Sequence, residues 1–170
     1  MARKSSIGEL NCGMAQAVDL IGDRWTLLIL RNAFNGMNTY HALQEHLDVS
    51  SSVLSAELAK LVQAGVFERV RSPDDGRSFT YQLTDKGFEL YPIIACMSLW
   101  GEKHAPHPKG KRIVLIEKAT GREIDEVAVL SADGAPLHAR DVHVAAGPAA
   151  DEHNLAFTRR DWRKKDSGAA

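Results

Sequence analysis

Apolar residues recur at spacings of three and four over residues 12–21, where Met14, Ala17, Val18 and Ile21 share one helical face. Gly22 and Asp23 break the run. Residues 24–34, RWTLLILRNAF, carry Trp25, Leu27, Leu28, Ile29, Leu30 and Phe34 nearly all round the axis, the pattern of a helix buried centrally or at a subunit interface. Asn35-Gly36 marks its end. Asn38 is placed to cap a short helix over residues 39–47, with Leu43 and Leu47 four apart. Asp48 and Val49 make a tight turn. Ser50, Ser51 and Ser52 then offer cap hydroxyls to a helix with Val53, Leu54, Leu58, Leu61 and Val62, closing at Gly65.

After Gly65 the pattern alternates. In VFERVR (66–71), Val66, Glu68 and Val70 alternate with Phe67, Arg69 and Arg71; in SFTYQLT (78–84), Phe79, Tyr81 and Leu83 alternate with Thr80 and Gln82. SPDDGR between them is turn chemistry, with proline presetting one dihedral and Gly76 free to take a positive φ, so a β-hairpin with a protruding loop is predicted. Thr84 or Asp85 can cap one long helix from about residue 86 to 104. Its apolar positions, Phe88, Tyr91, Ile94, Ala95 and Leu99 among them, form a surface wider than a small helical core needs, which predicts contact with another chain. Pro106 and Pro108 end the helix, and a domain boundary is predicted near 106. RIVLIEK (112–118), EVAVL (126–130) and HARDVHV (138–144) read as strands of a small meander, followed from Gly147 by a mobile tail with a basic cluster at Arg159, Arg160, Arg163, Lys164 and Lys165.

The division predicted is thus 1–105, 106–147 and 148–170, and the class is mainly α with a β-hairpin wing and a small β-rich extension. Composition supports a packed protein: 170 residues with 44% hydrophobic and 25% charged side chains. Twenty-one Lys and Arg against 22 Asp and Glu leave a formal net charge of -1, so any polyanion must be met by a local patch. Neither a signal peptide nor an apolar stretch near the roughly 20 residues of a membrane span is present, which predicts a cytoplasmic protein without a membrane partner. Cys12 and Cys96 are too few for a disulfide framework or a four-thiolate zinc site, so no cofactor and no metal are expected.

Helix, tight turn, helix and hairpin, in that order, form a winged helix-turn-helix, whose second helix enters the major groove of double-stranded DNA while the hairpin flanks the backbone. Ser51, Ser52 and Ser55 are short polar groups that reach base edges or phosphates without obstructing entry. Each also serves simply as a cap or a solvated surface group. Arg69, Arg71 and Arg77 frame the wing loop, where guanidinium groups bind phosphate or enter a minor groove. Tyr40 and Lys60 complete the candidate DNA-binding set. No nucleophile and base pair, phosphate loop or paired carboxylate stands in its expected context, so an enzyme is not predicted.

Cys12 followed by AVDLIGDRWTLLILR (17–31), VLSAELAKLVQAGVFER (53–69), YQLTDKG (81–87) and LWGE (99–102) together resemble the HxlR family of winged-helix transcriptional regulators. The resemblance implies a homodimer, built from the first and last helices of the core, that binds a palindromic operator as repressor or activator. The chain departs from the family at Ala56 and Glu57, where relatives commonly carry basic or amide side chains; a carboxylate there is repelled by phosphate, though it can accept from cytosine N4. The extension resembles the zinc-ribbon-like appendage of longer members. Its two knuckle turns hold KATG (118–121) and LSADG (130–134) in place of cysteines, which implies a metal-free hairpin module held by Ile113, Leu115, Val127 and Val129. Cys12 occupies the place of the reactive thiol in redox-sensing members, while Cys96 reads as packing. A second class of function, a small-molecule receptor, would use Trp25, Phe34, Tyr91 and Trp100 as an aromatic pocket near the dimer seam for a flat effector; the same residues serve equally well as core and interface packing.

Overall fold

The computed structural model describes residues 7–71 and 78–159. They fall into two compact units, one of residues 20–127 and one formed by residues 1–19 with 128–170. The division lies after Val127, whereas the composition change pointed to residue 106.

Four helices open the chain: α1 (Gly13–Ile21), α2 (Arg24–Phe34), α3 (Tyr40–Leu47) and α4 (Ser51–Gln63). The Asp23 carboxylate accepts from the Trp25 N–H at 2.7 Å and starts α2. Helix α2 is central, with Ile29 and Leu30 fully buried. Around them Leu43, Val49, Leu54, Leu58, Leu61, Val66, Phe67 and Ile94 close one core. Val49 belongs to it although it lies in the turn between α3 and α4, because Asp48 adopts a left-handed backbone (φ 49°, ψ 45°) that turns the chain sharply.

The cap of α3 is Thr39, whose hydroxyl accepts from the Ala42 N–H at 3.2 Å. Asn38, predicted for that role, is used otherwise: its carbonyl accepts the Tyr81 N–H at 2.7 Å, and Thr39 bridges Thr80, so the start of α3 is tied to the hairpin. That hairpin pairs β1 (Phe67–Arg71) with β2 (Phe79–Leu83), in a register that sets Arg71 opposite Phe79 and Arg69 opposite Tyr81.

The predicted helix over 86–104 is two helices, α5 (Asp85–Phe88) and α6 (Tyr91–His104). Pro92 is the reason, since it has no N–H for the helical ladder and its ring clashes with the carbonyl four residues before it. Thr84 caps α5 through the Gly87 N–H. Beyond α6, β3 (Leu115–Ile116) pairs with β4 (Glu123–Ile124), strands of two residues each. Polar contacts hold them: Lys111 bonds Glu123 and Asp125, and the Arg112 N–H donates to Glu102 at 3.0 Å. The two carboxylates raise the Lys111 pKa, and the Lys111 ammonium lowers that of Asp125. Ile113 and Val127, predicted as apolar clamps, are exposed and make no core.

In the other unit, β5 (Val129–Leu130) pairs with β6 (Pro136–Leu137), and Val129 is exposed as well. HARDVHV forms no strand: His138 and Asp141 close a turn, the Asp141 N–H reaching the His138 carbonyl at 2.8 Å. Where only a tail was predicted, α7 (Glu152–Arg159) forms, capped by Asp151, which accepts from the Asn154 N–H at 2.9 Å. Residues 160–170, with most of the basic cluster, lie outside the described residues.

Candidate nucleic-acid interface

Exposed positions of α4 form one stripe, Ser52, Ser55, Ala56, Ala59 and Gln63, because residues three and four apart share a helical face. Ser50 caps the helix, its hydroxyl receiving the Val53 N–H at 3.4 Å, which leaves Ser51 and Ser52 free for other bonds. Ser51 accepts from Gln44 Nε2 at 2.7 Å, and Ser52 lies 3.2 Å from the Ser50 hydroxyl. The Tyr40 hydroxyl donates to the Ser51 carbonyl at 3.0 Å and lies 3.2 Å from Ser55 Oγ. Tyr40 therefore joins α3 to the first turns of α4. Lys60 is half-buried on the flank shared with Val53 and Glu57, off the exposed stripe.

Glu57 does not stand free beside the serines. It is half-buried, and its carboxylate accepts from the hydroxyl of Thr26, a side chain with no exposed surface on α2. The departure noted at this position thus has a structural use: the carboxylate links α4 to the core.

On the wing, Arg69 and Arg71 are both exposed on the face that carries Phe79 and Tyr81. The Arg69 guanidinium lies 3.7 Å over the Phe79 ring and that of Arg71 5.9 Å from it. Stacking of this kind holds a cation in place while its N–H edge faces outward. Arg77 lies outside the described residues. Between α3, α4 and the wing runs a groove of about 820 Å³, lined by Tyr40, Ser55 and Arg69 together with His41, Gln63 and Phe79. The last three were not singled out from the sequence. The period of two shows that Phe79 and Tyr81 share a face, but only the register places them beneath the arginines.

The four aromatics of the predicted effector pocket are not gathered. Trp25 borders a groove with Arg24, Ser52, Ala56 and Glu57. Phe34, nine residues further along α2 and hence roughly 13 Å away, meets Tyr91 edge-on at 5.1 Å. Trp100 packs on His104, with centroids 4.9 Å apart. Cys12 is exposed just before α1, its carbonyl accepting the Gln16 N–H at 3.1 Å. Cys96, predicted as packing, is exposed on α6. Among the described residues no three His, Cys, Asp or Glu side chains converge as metal ligands, and no helix is long and apolar enough to cross a membrane.

A helix pair with a polar exposed second helix, flanked by an arginine-bearing wing, defines a winged helix-turn-helix transcriptional regulator. Residues 20–109 match the model of the HxlR-like helix-turn-helix family, and the chain belongs to that family. It is 35% identical over 135 residues to the uncharacterized HTH-type transcriptional regulator Rv3095 of Mycobacterium tuberculosis, covering 79% of this chain and 85% of the relative. The crystal structure of PA1607, a proposed transcription factor, superposes with a TM-score of 0.77 at 34% identity, covering 84% of this chain and all of that one. A second structure, that of the proposed transcription factor PA1374 from Pseudomonas aeruginosa, gives 0.58 at 29% identity, over 86% of this chain and 99% of that one.

Proposed function

We propose that the protein acts in the cytoplasm as a homodimer that binds a palindromic operator, with α4 in the major groove and the wing on the flanking backbone. The observation that carries the dimer is the apolar stripe of α6. Ile93, Met97 and Trp100 follow one another at helical spacing, all exposed, with Trp100 64% accessible. Exposed Tyr91 and Phe88 extend it. Met14 and Val18 make a similar exposed face on α1. Apolar surface of this extent on a water-soluble regulator is covered by a partner, and two copies give the two-fold symmetry that a palindrome requires. The stripe Ser52, Ser55, Ala56 and Ala59 supports the entry of α4 into DNA, since short side chains allow close approach. Light scattering at micromolar protein should return a dimer. Selection from random duplexes should recover inverted repeats with half-sites about 10 base pairs apart. A monomer, or recovered sequences without two-fold symmetry, would refute the proposal.

A second reading, control by oxidation at Cys12, rests on the exposure of that thiol just before α1. If Cys12 is the switch, the Cys12→Ser protein keeps operator binding in a mild oxidant that releases the wild type; equal release of both rules it out.

A further inference from the structure

The groove beside the wing has features that contact with a DNA backbone does not require. Phosphate recognition needs cations and N–H donors on an accessible surface. Here the cation sits over an aromatic floor. Phe79 and Tyr81 form it on the hairpin side, and Val62 adds an aliphatic wall on the helix side, with the small side chains of Ser55 and Ala59 leaving the slot between helix and sheet open. Its volume, about 820 Å³, falls in the range of small-molecule sites. The charge of the lining is one-sided: none of its described residues is a carboxylate, and Arg69 is a permanent cation. Among the described residues no acidic side chain pairs with Arg69, whose flat face is occupied by Phe79 at 3.7 Å, so its donor edge is available to a ligand. The Tyr40 and Ser55 hydroxyls bond each other across the opposite wall and offer polar contacts there.

We propose that this groove is the binding site of a planar aromatic carboxylate, whose ring lies in the slot against Phe79 and Tyr81 and whose carboxylate takes two parallel N–H bonds from Arg69. A ring matches the apolar walls, and a carboxylate matches the guanidinium fork better than a point anion would. Occupancy would cover Ser55 and Arg69, so the ligand competes with DNA. The competition, though not the ligand site, rests on the DNA-binding role given to those residues above.

Calorimetric titration of the full chain with 2-naphthoate, without DNA, tests the site. One ligand per chain is expected. Arg69→Ala should weaken binding by about tenfold or more, as loss of a charge-assisted pair does. The neutral 2-naphthamide should lose a similar factor. Ala59→Trp, which fills the slot from an exposed position, should abolish binding without lowering the melting temperature. Binding that survives both substitutions unchanged, or no binding at millimolar naphthoate, overturns the proposal. In a second arm, 2-naphthoate should release the selected operator from the wild type but not from Ala59→Trp or Arg69→Ala, whichever still binds DNA. A protein that binds naphthoate through Arg69 yet selects no operator refutes the DNA reading and leaves the ligand site standing. Ligand and operator bound together refute the competition.

Discussion

A Cβ on Gly87 would meet the Val66 carbonyl oxygen at 2.4 Å and the Leu83 side chain at 2.9 Å. That carbonyl cannot retreat freely, because it already accepts the Thr84 N–H at 3.1 Å and the Thr84 hydroxyl at 3.2 Å. Gly87→Ala is therefore expected to destabilise by about 1–3 kcal/mol, the usual cost of overpacking, seen as a lower urea midpoint with an unchanged slope. Helix α5 thus needs glycine at this position for space, not for a left-handed backbone. Thr26 makes a different kind of residue-scale demand. Its buried hydroxyl donates to Glu57, so Thr26→Val leaves a half-buried carboxylate without that donor. A loss of about 1–3 kcal/mol is expected, while Thr26→Ser, which keeps the hydroxyl, should lose less. Equal losses for Val and Ser would assign the effect to packing alone.

At the scale of elements, the proposed operator binding would divide recognition between α4 and the wing. Arg71 is exposed beside Phe79, and replacing it by Ala should flatten the salt dependence of operator affinity by about 0.9 in the log–log slope for one phosphate contact. Ser52→Ala on α4 should leave that slope alone and change which bases are preferred. An unchanged slope in Arg71→Ala would remove the wing from the interface. Helix α7 carries a pH signature. The Asn154 N–H beside Asp151 holds its carboxyl below the usual carboxylate range. A depressed folded-state pKa contributes stability above the unfolded value near 3.9, and the contribution is lost as pH falls through the folded value. Carbon-detected NMR should find Asp151 titrating below the usual aspartate range, with fraying of α7 at the same pH.

For the whole molecule, the extension past residue 106 is the part whose contribution is least like a core. Its strands are two residues long, and Ile113, Val127 and Val129 are exposed. Small β-structure of this kind is marginal by itself without metal or a partner. We expect purified protein to carry no stoichiometric zinc and a chelator to leave its melting curve unchanged. Deleting residues 106–170 should lower the melting temperature, because the Arg112 contact with Glu102 at the end of α6 is lost, yet specific DNA binding should remain. One zinc per chain, or a truncated protein that fails to fold, would refute this view of the module.

The sequence by itself determined the order of elements from α1 to the wing, and the family. Periodicity is local, and α2, α4 and the wing strands stand where spacing and turn chemistry put them, since each buries one face against the same core. The serines and the two described wing arginines were legible as exposed polar positions next to a predicted turn, whereas Tyr40 is partly buried against the core. Other features depended on partners distant in sequence. Asn38 lost its capping role to Thr39 because the hairpin needed its carbonyl, and Glu57 turned to Thr26 because α2 lies behind α4. Within one chain the four aromatics do not gather at one place, because residues nine apart on a helix are far apart in space, a distance hidden when only residue types are matched. The groove under Arg69 exists only through the register that sets Arg71 opposite Phe79, and a period of two, which gives each strand its faces, does not say which residue of the next strand it will meet.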